Sequence, residues 1–264
     1  HAIGLEKRDF MPLVFSDDDL AAMACVRRAF DPDGRMDPMK VLPDGARIPA
    51  KIYPVIKPRD NSFVFDIKND PAIFLYLDPA VSKDQFENTL AHELHHIGFG
   101  TACPAGETRE AINKFSKEKQ EALKWIGAFG EGLAMLAAAG GADVHPHKFS
   151  KRETRERWDR DVRNFNADLK TVEKFFSDVL ARRLEGDKLN ETAFSFFGVQ
   201  GPWYTVGWRM SVVIEKSFGR KKLIAAFCDQ RRLLAVYNEA AEKYNGKTKD
   251  DFALWSPELM NLLN

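Results

Sequence analysis

The clearest periodicity in the chain lies in residues 152–185. There Trp158, Val162, Phe165, Leu169, Val172, Phe175 and Val179 recur every three or four positions among charged neighbours. This spacing predicts one long amphipathic helix, Arg152–Glu185, whose aromatic side chains belong to the core. The same period predicts helices at Lys117–Ala139, Tyr204–Phe218, Lys221–Phe227 and Arg231–Tyr244. Upstream, Asp17–Phe30 reads as a helix capped by Ser16, with Asp19 three residues on. Pro, Gly and Asp mark residues 31–58 as loop, with an edge strand near Lys51–Ile56. Two short apolar runs, Phe63–Ile67 and Ala72–Leu77, flank Lys68-Asn69-Asp70-Pro71 and predict a β-hairpin. Ser82 and Gln85 form a capping box that opens a further helix, expected to stop near Phe99 at Gly98, Gly100 and Pro104. The expected fold is therefore α+β and predominantly α-helical. It is a single domain of two lobes meeting at a cleft, with residues 1–100 an α/β lobe and 101–264 a helical lobe.

Composition narrows the function classes. The 264 residues carry 39 basic and 39 acidic side chains, so the formal charge is zero. A dedicated nucleic-acid binder needs a basic excess, and none is expected here. No run of 18 apolar residues suggests a membrane span. With 20 Phe and 5 Trp the chain is too apolar for a solvated tail, and it is long enough to bury a core without disulfides or metal. Cys25, Cys103 and Cys228 are odd in number and widely spaced, so they are expected to be incidental thiols. The segment Asp31–Asp37 is unsuited to calcium, because its glycine comes early and no Glu closes it. The chain opens at His1 rather than Met, which a cleaved export signal or an expression tag would each explain, so the compartment stays open between the slightly favoured periplasm or exterior and the cytoplasm.

Three of the six histidines fall within five residues, His92-Glu93-Leu94-His95-His96. At 100° per residue His92 and His96 lie about 40° apart on one helix face. Two imidazoles one turn apart suit a single tetrahedral zinc ion. Glu93, about 60° beyond His96, lies beside that position. Phe86, Leu90, Leu94 and Ile97 take a different arc, so one face can line a site while another packs. His95 points away from the pair and reads as a bystander to the metal, a partly buried helix histidine with a hydrogen-bonded ring.

Hydrolytic zinc sites use three protein ligands and leave one position open. A metzincin continuation is excluded, since Phe99 and Ala102 stand where Gly and His would be required. Glu131 is the best third candidate. It lies in the apolar run Phe129–Ala139, where a lone carboxylate is costly unless neutralised. Gly130 and Gly132 beside it suggest close backbone approach to a neighbour. Glu118 and Glu121 are poorer candidates, and His145 and His147 are reserves. A carboxylate-bridged di-iron centre would need a second Glu-x-x-His, which the chain lacks.

HELHHIGF, GEGLAML and YTVGWRMSVVIEKSFGRKKL together resemble a family of bacterial zinc-dependent peptidases of the gluzincin type, over roughly residues 60–245. The resemblance implies a zincin-like domain with His92, His96 and Glu131 as zinc ligands, one zinc per chain, and Glu93 as general base. It also implies a role for Tyr204 opposite the base, although a half-buried aromatic anchor is an equal reading of that residue. The longer spacing from His96 to Glu131 than in familiar gluzincins leaves room for an inserted loop at Gly100–Phe115. The expected activity is hydrolysis of peptide or protein substrates by a zinc-bound water activated by Glu93. The alternative is a non-catalytic, peptidase-like metal binder whose cleft holds a partner. Tyr204 or His145 would stabilise the oxyanion. Ala72–Leu77 is either a strand that pairs with an extended peptide or an internal hairpin strand.

Overall fold

The computed structural model describes residues 41–48, 50–55, 62–65, 71–76, 81–103, 105–246 and 251–263. The helix expected at Asp17–Phe30, the Asp31–Asp37 segment and Cys25 lie outside them. Helix dominates the described residues, with one small sheet near the N-terminal end. The chain divides into two compact units, His1–Ala102 and Cys103–Asn264.

In the first unit, β1 (Lys51–Val55), β2 (Phe63–Phe65) and β3 (Ala72–Tyr76) form a sheet of order β1-β3-β2. β2 and β3 pair antiparallel, Phe63 opposite Phe74, as the hairpin reading requires. β1 joins parallel to β3, Lys51 opposite Ala72, and is an edge strand. Both edges of β3 are therefore taken. It is the internal strand of the two readings and cannot receive an added peptide strand.

Helix α1 (Lys83–Ala102) starts where its cap dictates, with Gln85 N–H donating to Ser82 Oγ at 3.2 Å. Its apolar arc packs on β3, in a core of Ile73, Leu75, Leu90 and Ile97 joined by Phe86 and Leu94. The helix does not stop at Phe99. Gly98 and Gly100 each cost about 1 kcal/mol inside a helix, yet tertiary packing outweighs that cost. A Cβ on Gly98 would lie 2.5 Å from Leu42 Cδ1, so glycine admits the segment at residues 41–48 against the helix. Thr101 Oγ1 then bonds the Arg47 backbone, accepting from its N–H at 3.0 Å.

Helices are the only regular elements among the described residues of the second unit. Helix α2 (Ala105–Ile112) occupies the stretch expected as an inserted loop. The expected Lys117–Ala139 helix is α3 (Lys117–Ile126) and α4 (Gly130–Ala139), joined by a tighter turn at Gly127–Phe129. That run is long and apolar enough by composition to cross a bilayer, but 61% of its most apolar window is buried inside the protein, as a core helix is. The expected Arg152–Glu185 helix breaks at Asn164 into α5 (Arg152–Arg163) and α6 (Phe165–Leu180). Its stripe, from Trp158 to Val179, is buried at all seven positions. Then follow α7 (Gly186–Ser195), α8 (Pro202–Phe218), α9 (Arg220–Cys228), α10 (Gln230–Asn245) and α11 (Pro257–Leu263). Cys103 and Cys228 are not incidental thiols; they form a disulfide with Cα atoms 5.1 Å apart. A separation of 125 residues gives no spacing signal from which that pairing can be read.

Candidate metal centre

Helix α1 carries the His-Glu-x-x-His run through its middle. His92 and Glu93 are buried and His96 is half-buried. One helical turn sets the two rings edge to face, centroids 4.7 Å apart and planes at 84°. Their Nε2 atoms converge to 3.1 Å. Two nitrogens on one tetrahedral zinc at 2.0–2.1 Å would be about 3.3 Å apart, so the pair fits a shared cation with little movement.

His95 is the hydrogen-bonded helix histidine that its position off the metal face implies, and its burial is almost complete. Only 1% exposed, it meets the Val41 carbonyl through Nε2 at 3.2 Å. Burial, then the neighbouring His96, pushes its pKa down to about 3, against the Val41 bond, so the ring is neutral. The neutral tautomer that donates to Val41 carries its proton on Nε2. Together with Leu42 against Gly98 and Thr101 against Arg47, His95 fastens residues 41–48 along the metal helix. The sequence signal for this was faint: a third histidine off the metal face, and a glycine that packing alone explains.

In the second unit, Glu131 lies half-buried in the first turn of α4. The partial positive charge of a helix N-terminus favours a carboxylate there. Gly132 explains how α4 is held. A Cβ on it would collide with the backbone at Gly207 and Trp208, and one on Gly207 would collide with the Phe129 carbonyl. The two helices thus touch backbone to backbone. Gly130 does not share that role, since a Cβ there would meet nothing within 4 Å.

Tyr204 stands in the first turn of α8, which begins at Pro202 because a fixed φ suits the first helical position. It is half-buried, its ring 6.4 Å from that of Phe197. His145 has both ring nitrogens engaged: Nδ1 accepts from the His147 N–H at 2.9 Å and Nε2 lies 3.1 Å from Asp159 Oδ1. His147 is buried against Trp158, with Nδ1 3.0 Å from Ser150 Oγ.

No curated protein and no solved structure matches the chain. Residues 1–41, nearly all outside the described region, match a family model for the C-terminal domain of FAD-linked oxidases. A second model, described as "Putative zinc dependent peptidase (DUF5700)", matches residues 39–246 and so takes in the metal helix, Glu131 and Tyr204. Because that match runs over more than three quarters of the sequence, the chain belongs to this zinc-dependent peptidase family.

Proposed function

We propose that the protein is a zinc metallopeptidase of the gluzincin type, with His92, His96 and Glu131 as ligands, Glu93 as general base and Tyr204 as oxyanion donor. The observation that carries the reading is the convergence of His92 and His96 Nε2 to 3.1 Å on a helix that also holds Glu93. The donor types agree: two imidazoles and one carboxylate are the ligand complement of a hydrolytic zinc site. The engaged nitrogens of His145 favour Glu131 over that reserve.

Zinc, when bound, supplies Lewis acidity, which brings a water's pKa toward about 7 and polarises the scissile carbonyl. Glu93 takes a proton from the attacking water and delivers it to the departing amine. Its burial keeps that exchange away from bulk solvent. Tyr204 donates its phenolic hydrogen to the developing oxyanion, an interaction whose loss lowers turnover by about 10²–10³. The substrate class is peptide or protein. The Cys103–Cys228 disulfide supports an oxidising compartment, the periplasm or the exterior.

Elemental analysis and peptide hydrolysis test this together. Wild type is expected to hold one zinc per chain, Glu131→Ala to lose most of it, and Glu93→Gln to keep zinc but not hydrolysis. Tyr204→Phe should retain zinc with turnover reduced. Wild type without metal after zinc is supplied would sink the proposal, and unchanged hydrolysis by Glu93→Gln would remove its mechanism.

A further inference from the structure

Residues 251–256 follow α10 without forming helix or strand, yet their backbone is almost completely bonded. All but one of those bonds are made by side chains; the exception is the Ser256 carbonyl, which accepts from the Met260 N–H at 3.0 Å where α11 begins. Asn166 accepts from Ala253 N–H and donates to the Asp251 carbonyl, both at 2.8 Å. Asn245 brackets Phe252, accepting from its N–H at 3.0 Å and donating to its carbonyl at 2.9 Å. Asn238 brackets Trp255 in the same way, at 2.9 Å on both sides. Tyr237 and Lys170 donate to the carbonyls of Ala253 and Leu254 at 2.8 Å. Glu173 accepts the Ser256 N–H at 2.7 Å. One amide can serve both the N–H and the C=O of a residue only when the two face the same way, as they do in an extended chain.

The six side chains that make these bonds form two helical stripes, Asn166, Lys170 and Glu173 on α6 and Tyr237, Asn238 and Asn245 on α10. They read main chain, not sequence. Specificity enters at Trp255, which is 1% exposed and packs against Phe129 and Phe176 with centroids 5.8 and 6.1 Å away. Asp251 is exposed and Leu254 half-buried. Main-chain bonds for affinity and one deep pocket for selectivity is how extended peptides are recognised. The division of the sequence agrees. The family match ends at residue 246, so all six reading side chains lie inside it and the segment they hold lies outside.

We propose that the stripe between α6 and α10 is a recognition site for an extended peptide, occupied in this chain by its own residues 251–256. From another chain it accepts a segment of the same chemistry, an extended main chain with a large aromatic ring at the Trp255 position and tolerance at the positions of Asp251 and Leu254. The inference is independent of the zinc reading. A short tether holds the resident segment at about millimolar effective concentration, so a free peptide competes poorly until the tether is cut.

The test uses the full chain with a sequence-specific protease site placed at residues 247–250. After cleavage the C-terminal piece is expected to co-elute with the body and to exchange with a fluorescent synthetic peptide of residues 251–263, one per chain. The same peptide with Trp255→Ala should compete at least about 100-fold less well, and with Leu254→Ala within about threefold. Asn245→Ala in the body should weaken capture about tenfold. In the uncut chain, a concentration-dependent dimer dissolved by the free peptide would identify a second copy's tail as the partner, whereas a monomer whose cut form exchanges would identify an unrelated chain. A tail that never exchanges, a body that unfolds on cleavage, or equal competition by the Trp255→Ala peptide would overturn the proposal.

Discussion

Gly130 and Gly132 flank the same carboxylate and look alike in sequence, but their surroundings give them opposite signs. Gly130 takes ordinary helical angles, φ −53° and ψ −26°, with open space where a Cβ would go. Gly130→Ala is expected to stabilise the protein by about 0.5–1 kcal/mol, the helix-propensity difference. Gly132→Ala drives a methyl into the α8 backbone, which cannot rotate away as a side chain can. Overpacking of cores costs about 1–3 kcal/mol, and the rigid neighbour puts this site at the upper end or beyond. Urea melts of the two variants should shift in opposite directions. Equal shifts would mean that α4 and α8 are not in backbone contact.

At the level of elements, the connection from α4 to α5 depends on a buried histidine. His147 packs on the Trp158 ring, centroids 5.0 Å apart, and its pKa is lowered to about 4. Burial is the main cause, with His145 and Arg157 adding to it and Gln200 and Asp159 opposing. The unfolded ring titrates near 6.5, so below that pH the unfolded chain binds a proton the folded chain refuses. Stability is complete above about 6.5 and falls as pH drops toward 4, by at most about 3 kcal/mol. His147→Gln should flatten that slope in unfolding measurements between pH 7 and 4, and an unchanged slope would assign it to other groups. Legibility at this scale followed the strength of local signals. The Ser82 cap, the β2–β3 hairpin and the Trp158–Val179 stripe were readable because a few neighbouring residues determine each. The short helices α2, α7 and α11 leave little trace in the sequence: α7 and α11 bury only two positions each, Leu189 and Ala193 or Leu259 and Leu263, whereas the equally short α9 buries Leu223, Ala226 and Phe227. The break at Asn164 was hidden because the buried stripe runs through it unaltered. At the site, His92, Glu93 and His96 follow from one helix face, whereas the clamp made by His95 depends on Val41, 54 residues away.

At the scale of the molecule, the Cys103–Cys228 disulfide is the longest-range constraint that the sequence concealed. Cys103 directly follows the last residue of α1, seven positions after His96, and Cys228 ends α9. The bond closes 125 residues. A loop of that length loses about 5 kcal/mol of unfolded-state entropy on closure, and removing native disulfides commonly costs 2–5 kcal/mol. Cys103→Ser, or reduction of the wild type, is therefore expected to lower stability by about 2–5 kcal/mol. Reduction of the Cys103→Ser variant should add nothing further. Thiol titration of denatured protein before and after reduction supplies the companion measurement, with the reduced sample gaining two thiols per chain. Disulfides persist in oxidising compartments and are kept reduced in the cytosol. Protein recovered from its native source with the bond formed would therefore support the periplasm or exterior, and recovery with three free thiols would place the working protein in a reducing compartment. In that second case the helices around α8 would have to hold unit 2 together unaided, through the contact at Gly132 and Gly207 and the aromatic core about Phe129, Phe176, Trp203 and Trp255. Comparing Cys103→Ser with Gly132→Ala separates the two supports. If packing alone sets stability, the bond contributes little and only the glycine variant unfolds early. If chain closure matters as its length implies, each variant weakens the unit separately and the double variant loses nearly the sum.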